Sequence, residues 1–339
     1  MSSMRKSILL LLTSVLAAAE LPRTELNNGA LRVKLYLPDA AKGFYRGTRF
    51  DWSGMIDTVD YAGHRYYGPW FQRTDPKVHD FVYQGSDIVA SLCTAATGPA
   101  EEFSTNNKTL GFDDAKTGGT FVKIGVGVLR RPDAADYDHY RLYEIADPGK
   151  WTTKVTRTSA EFTQHVNDPG SGYGYEYRKT VRLSGSGPEM KIEHTIRNTG
   201  AKAISSLVYN HNFLVIDGQA PGPDLTISTP FDIQSEQPPD PKVAEIRGRE
   251  IHYRKTLEGE ERAVTQMAGF GKDASDYDVR VLNTKSGAGV RITADRPLAR
   301  LALWSIRAVM AVEPFIDFTI QPGESYAWTL TYRYLKQGE

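Results

Sequence analysis

Apolar and polar residues alternate over short stretches along most of the chain. Residues 31–37 alternate, and residues 190–196 do so strictly, with Met190, Ile192, His194 and Ile196 on one side. A two-residue period is that of a strand with one buried face, so His194 is expected to face the core. Residues 121–130 read as a further strand, with Gly125 and Gly127 one pleat apart on the same side. Glycine inside a strand marks a bulge or a close approach of backbone. Residues 279–282, 289–293, 299–304 and 328–334 continue the run of short strands. No long 3.6-residue period occurs, and only the charged stretch 245–262 is expected to hold a short surface helix. Many short strands separated by Gly and Pro turns predict an all-β sandwich or barrel. Residues 68–120 carry the turn signals Gly68-Pro69, Asp75-Pro76, Gly98-Pro99 and Gly118-Gly119, as expected of an excursion that forms a binding loop or lid.

Several polar groups interrupt this pattern. The apolar run 204–208 leads into Tyr209-Asn210-His211-Asn212-Phe213, which places a polar triplet near a strand end. Buried polar groups need partners or a chemical task; a histidine there is either a satisfied core residue or a functional one. Glu313 directly follows the apolar run 309–312, where a lone carboxylate is costly unless paired or used. Residues 43–54, bounded by glycines, concentrate Arg49, Asp51 and Trp52. An internal Arg49–Asp51 ion pair with Trp52 in the core is one reading, and a ligand contact is the other. Glu101 and Glu102 precede Phe103 and are expected to be a solvated pair, the alternative being that one turns inward toward a site; His79-Asp80 is a weak candidate of the same kind.

Together these stretches resemble the galactose mutarotase (aldose 1-epimerase) superfamily. Its members carry an Asn-His followed by aromatics in mid-chain, then a glutamate before a Leu-x-Pro-Gly-Glu turn and a final strand. The matching residues are Asn210-His211-Asn212-Phe213, Glu313, and Ile320-Gln321-Pro322-Gly323-Glu324. The likeness extends over residues 173–177 and 190–200 and covers most of the second half. It implies a large twisted antiparallel β-sandwich, the galactose mutarotase-like supersandwich. It also implies a sugar or glycan end as ligand, no cofactor, and interconversion of sugar anomers. Glu313 is then the base that takes the anomeric hydroxyl proton, and His211 the acid at the ring oxygen. Arg49, Asp51, Trp52, Glu102, Asn210 and Asn212 become candidates for holding the sugar, Arg49 by paired hydrogen bonds and Trp52 by stacking. One departure stands out. Mutarotases supply a further histidine from the first half in a His-Gly-type segment, yet no His-Gly pair occurs between residues 60 and 130. His64 and His79 have other neighbours, which leaves Arg49, Glu102 or Lys123 to fill that space. A non-catalytic carbohydrate-binding sandwich is therefore an alternative, as is a glycan hydrolase or lyase using Glu102 with Glu313.

Composition narrows the rest. The 41 Lys+Arg balance the 41 Asp+Glu, which argues against a nucleic-acid-binding face or a polybasic membrane anchor. Cys93 is the single cysteine and reads as a packed thiol, so no intrachain disulfide forms. There is no HExxH and no Cys/His cluster with metal spacing, and no metal is expected. Arg5 and Lys6 precede an apolar run over 8–19 that ends in Ala17-Ala18-Ala19. That pattern predicts a signal peptide over 1–19, cleaved before Glu20, and a single domain over 20–339 in the periplasm or outside the cell. The run is too short to span a bilayer, so no membrane contact is expected after cleavage.

Overall fold

The alternating stretches become strands whose apolar sides form one large core. A computed structural model of the chain describes residues 21–103 and 109–338. The expected signal peptide lies outside the described residues. Strands β1 (Arg23–Asn27), β2 (Leu31–Tyr36), β3 (Ile56–Tyr61) and β4 (His64–Arg65) form an antiparallel sheet in chain order. Next come β5 (Arg73–Thr74), β6 (Phe81–Gln84) and β7 (Asp87–Ala90), a small sheet in the order β5-β7-β6. After β8 (Gly98–Glu102), strands β9 (Thr120–Lys123), β10 (Gly127–Arg130) and β11 (Glu144–Asp147) form another three-stranded sheet.

Two larger sheets follow. The remaining strands are β12 (Lys150–Val155), β13 (Ser159–Asp168), β14 (Tyr173–Leu183), β15 (Glu189–Asn198), β16 (Ile204–Phe213) and β17 (Leu225–Ser228). They continue with β18 (Ala244–Arg247), β19 (Glu250–Tyr253), β20 (Arg262–Met267), β21 (Asp278–Asn283) and β22 (Gly289–Ala294). The last three are β23 (Arg300–Ile306), β24 (Val309–Ile320) and β25 (Ser325–Leu335). The ten-stranded sheet runs β12-β13-β14-β15-β25-β22-β21-β17-β19-β18, and the five-stranded sheet runs β20-β23-β24-β16-β8. Both are antiparallel throughout. Their facing sides make the main core, which joins Ile192 and Ile196 of β15 and Leu330 and Tyr332 of β25 to Val208 of β16 and Val312 of β24. His194 is buried on the inner face of β15 as its alternation predicts. The described residues hold two single-turn 3-10 elements and no α-helix.

Two expectations are corrected. Residues 121–130 are not one strand but the hairpin β9–β10, because Gly125 and Gly127 both take positive φ, +79° and +138°. A β-carbon on Gly125 would lie 2.6 Å from Asp51 Oδ1, so the turn needs glycine to approach that side chain. The stretch 245–262 contains the hairpin β18–β19 and no helix. Ile251 and Tyr253 alternate with exposed or half-buried neighbours and are buried, and Gly248 turns the chain at φ +58°. Residues 68–120 are loop-rich as expected, with the short strands β5 to β8 and the start of β9 set among the turns.

Candidate active site

The five-stranded sheet has one face toward the ten-stranded sheet and one toward a cleft. Directly opposed residues on antiparallel strands share a face. Val264 of β20 is opposite Trp304 of β23, and Gln266 is opposite Ala302. Ala302 is opposite Glu313 of β24, and Arg300 is opposite Phe315. Phe315 is opposite Tyr209 of β16, and Tyr209 is opposite Glu102 of β8. His211 and Phe213 follow Tyr209 on the same side by the two-residue period. These residues, with Arg49, Asp80, His139 and Tyr140 from the first half, enclose a cleft of about 320 Å³, apart from Glu102, which lies beneath it. That volume sits at the lower end of the ~300–1,000 Å³ range for small-molecule sites.

The centre of the cleft is a histidine–carboxylate pair. His211 Nε2 lies 3.2 Å from Glu313 Oε1. The His211 ring stacks on Phe213 at 3.7 Å and meets the edges of Phe50 and Trp304. Burial pushes His211 well below its ordinary value, and the Arg49 charge adds to the effect. Burial raises Glu313 to about 7 against the weaker pull of Arg49 and Arg300. Near neutral pH the imidazole is neutral and Glu313 is poised between its two forms, which is where acid–base exchange is easiest.

Beneath this pair lies Glu102, wholly buried. Its Oε2 accepts from Arg49 Nε at 2.8 Å and from the Tyr209 hydroxyl at 2.8 Å. Its Oε1 accepts from Lys123 Nζ at 3.2 Å and lies 3.2 Å from His139 Nδ1. Burial pushes Glu102 up, but Lys123 and Arg49 pull harder and leave it well below the ordinary range. It is a fixed anion and not a proton donor, which weakens the Glu102–Glu313 hydrolase reading. Its contact with His139 Nδ1 fixes the orientation of that ring at the cleft. Arg49 is held over the faces of Phe50 and Tyr140, with its carbon 4.5 and 4.9 Å from the ring centres, and donates to the Tyr209 hydroxyl at 3.0 Å.

The candidates from the sequence divide by strand parity. His211, Glu313 and Arg49 meet at the cleft, and Glu102 supports it from below. Asn210 and Asn212 lie on the opposite face of β16 and do not line it. Asn210 Nδ2 donates to Glu101 at 2.9 Å, and Asn212 Nδ2 donates to the Val312 carbonyl at 2.8 Å. Asp51 is buried away from the cleft, where it accepts from Ser53 and from Tyr177 at 3.0 Å and pairs with Lys179 at 3.4 Å. Trp52 is a core residue whose Nε1 donates to the Gly47 carbonyl at 2.8 Å. The expected Arg49–Asp51 pair is absent, since Arg49 pairs with Glu102. Glu101 and Glu102 are not the expected solvated pair: both are buried, on opposite faces, because Lys179 compensates the first and Arg49 and Lys123 the second. His64 and His79 stand outside the cleft, paired with Asp217 and Asp138. The first-half histidine that reaches the cleft is His139, just beyond residues 60–130 and next to no glycine. Its one local signal is its place between Asp138 and Tyr140. Among the described residues, no group of three or more His, Cys, Asp or Glu side chains is gathered as a metal site.

The fold and the cleft define a class: antiparallel β-sandwiches with a histidine–carboxylate pair on the open face of one sheet. Solved structures place the fold more closely. Slr1438 from Synechocystis superposes with a TM-score of 0.55 at 11% identity, over 96% of this chain and 100% of that one. A galactose mutarotase-like protein from Lactobacillus casei gives 0.52 at 12% identity, over 92% and 99%. A GalM/aldose epimerase homologue from C. elegans gives 0.51 at 14% identity, over 94% and 99%. The fold is the galactose mutarotase-like β-sandwich. No protein-family model matches the sequence, and no curated protein matches it.

Proposed function

We propose that the protein is an exported aldose 1-epimerase-like enzyme that interconverts the anomers of a sugar or glycan end. The observation that carries this reading is the His211–Glu313 pair, 3.2 Å apart in a cleft of sugar size, with the carboxyl raised to about 7. Glu313, as carboxylate, takes the proton from the anomeric hydroxyl. His211, as imidazolium, gives a proton to the ring oxygen as the bond from the anomeric carbon to that oxygen breaks. The open-chain aldehyde turns and closes by the reverse steps. The pair must therefore hold one exchangeable proton. In the free cleft that proton rests on Glu313, because burial pushes His211 well below its ordinary value and raises Glu313 to about 7. Its transfer to His211 creates base and acid without changing the total, so the titrating unit is the pair. Arg49 and His139 supply hydrogen bonds to hydroxyls, and the partly exposed Trp304 offers a ring face to the apolar side of a pyranose.

Polarimetry on freshly dissolved aldoses tests the reading. Accelerated mutarotation is expected, with a rate that falls above pH ~7 as Glu313 loses the shared proton, and falls again in acid as His211 gains a second one. Absence of acceleration across a broad aldose panel overturns the proposal, and sugar binding by calorimetry without turnover would then favour a binding sandwich. Export rests on Arg5, Lys6 and Ala17-Ala18-Ala19; mass spectrometry of the mature protein is expected to find Glu20 at or near its start, and an intact Met1 in a cytoplasmic pool counts against it.

A further inference from the structure

Pro314 stands in the middle of β24, a central strand, where proline is rare because it cannot donate to a ladder. Its effect follows from the register. Tyr209 faces Phe315, and Leu214 faces Met310 in an isolated bridge. The same register holds on both sides, so Asn210 lies opposite Pro314, His211 opposite Glu313, and Asn212 opposite Val312. Leu214 and Met310 exchange backbone bonds of 2.8 and 3.2 Å. By alternation, Asn212 with Val312 and Asn210 with Pro314 are the next hydrogen-bonding pairs, and His211 with Glu313 is a close, non-bonded pair whose side chains meet. Yet no regular ladder joins these strands between Tyr209 and Leu214. Pro314 has no N–H for the Asn210 carbonyl, and the Asn212 carbonyl accepts from Leu214 N–H at 2.7 Å.

The Asn212 side chain fills the opening. Its Nδ2 donates to the Asn210 carbonyl at 3.2 Å and to the Val312 carbonyl at 2.8 Å. Its Oδ1 accepts from the Tyr332 hydroxyl of β25 at 2.9 Å, which fixes which way the amide points. The residue is wholly buried. We infer that Asn212 is a positioning residue: its amide replaces the ladder bond lost at Pro314, ties β16 to the Val312 carbonyl of β24, and so sets the spacing of His211 and Glu313 on the other face. This rests on the epimerase reading only for its kinetic consequence.

The test compares Asn212→Ala, Pro314→Ala and the double variant. Asn212→Ala is expected to lower kcat about 10–100-fold, the scale of a displaced catalytic group. KM should hold, since Arg49 and His139 lie on other elements. Pro314→Ala should keep kcat. In the double variant, position 314 regains a backbone N–H that can donate to the Asn210 carbonyl, and much of the lost kcat should return. In wild type, 15N NMR of the His211 ring should report its contact with Glu313 as a step near pH 7, and Asn212→Ala should shift that step. A merely structural Asn212 would lower the melting temperature while leaving kcat per folded molecule and the His211 titration unchanged; that result overturns the inference, as does a double variant no better than Asn212→Ala. Should Asn212→Ala not fold, Asn212→Ser, which keeps one donor, decides by the same readouts. If wild type turns over no aldose, the epimerase reading fails, and the NMR step still tests the positioning role.

Discussion

Two histidine–glutamate pairs lie on opposite sides of the five-stranded sheet. On the closed side, His194 Nε2 is 3.2 Å from Glu101 Oε1; on the open side, His211 Nε2 is 3.2 Å from Glu313 Oε1. Each ring stacks on an aromatic, His194 on Trp328 at 4.4 Å and His211 on Phe213 at 3.7 Å. The geometry is the same, yet the carboxyls titrate in opposite directions. Burial pushes both up. Glu101 also forms an ion pair with Lys179, which together with His194 drives it well below its ordinary value. None of the described ion pairs joins Glu313 to a lysine or arginine, and the charges of Arg49 and Arg300 reach it only through space. A cation at bonding distance makes such a pair a fixed structural anion. Withholding it leaves a carboxyl that gains and loses a proton near neutrality.

The largest expected effect is on turnover. Glu313→Gln keeps the shape and can still hydrogen-bond a hydroxyl but accepts no proton. A fall in turnover of about 10²–10⁴-fold is expected, with folding retained. His211→Asn should be similarly inactive, and the two losses should not add, because both residues serve one step. Normal turnover in well-folded Glu313→Gln removes Glu313 from the mechanism. On the closed side the expected effect is on stability. Lys179→Met strands Glu101 and Asp51 in the core, and loss of one partner of a buried pair costs roughly 3–5 kcal/mol. Urea unfolding at pH 7 measures it. The deficit should shrink in acid, where a protonated Glu101 no longer needs the cation; an unchanged midpoint would mean the cluster is not held by charge.

Strand parity explains what the sequence disclosed. Period-two alternation made the strands of the second half, and the inward side of β15, readable from Met190 to Ile196. The His211 and Glu313 motifs lie on strands that are neighbours in space, so their likeness to mutarotases carried through to the fold. The alternation also bears on Asn210 and Asn212: with His211 on the cleft side, both must face the other way, and spacing alone contained that answer. Other features were not local. Glu101 and Glu102 each found a cation distant in sequence, Lys179 and Lys123, so neither was a solvated residue. His139 entered the cleft because Glu102 holds it, 37 residues away along the chain, and a glycine neighbour is no guide to a histidine placed that way. Trp52 was ambiguous because a core tryptophan and a stacking platform have the same composition around them. The hairpin at 121–130 was hidden because glycine fits a strand face and a left-handed turn equally well.

The smallest expected effect separates the two pairs most directly, through the pH dependence of stability. Glu313 has its folded value raised from 4.5 to about 7. For a raised group the favourable contribution is complete below pH ~4.5 and is lost as pH rises through ~7. At pH 8 the folded protein therefore carries a buried carboxylate that the unfolded chain would solvate freely. Glu313→Gln removes that term and leaves the rest of the cleft in place. Relative to wild type, the variant should gain roughly 3 kcal/mol between pH 4 and pH 8, since each shifted pKa unit is worth about 1.4 kcal/mol. Urea midpoints at the two pH values, with unchanged slopes, give the number. The gain should be paired with the loss of turnover in the same variant, a residue kept at the expense of stability. If Glu313 were instead ion-paired in the manner of Glu101, the sign would reverse: its folded value would lie below 4.5, and Glu313→Gln would lose stability on going from pH 4 to pH 8. A loss in that window would make Glu313 a structural anion and remove the difference between the two sides of the sheet.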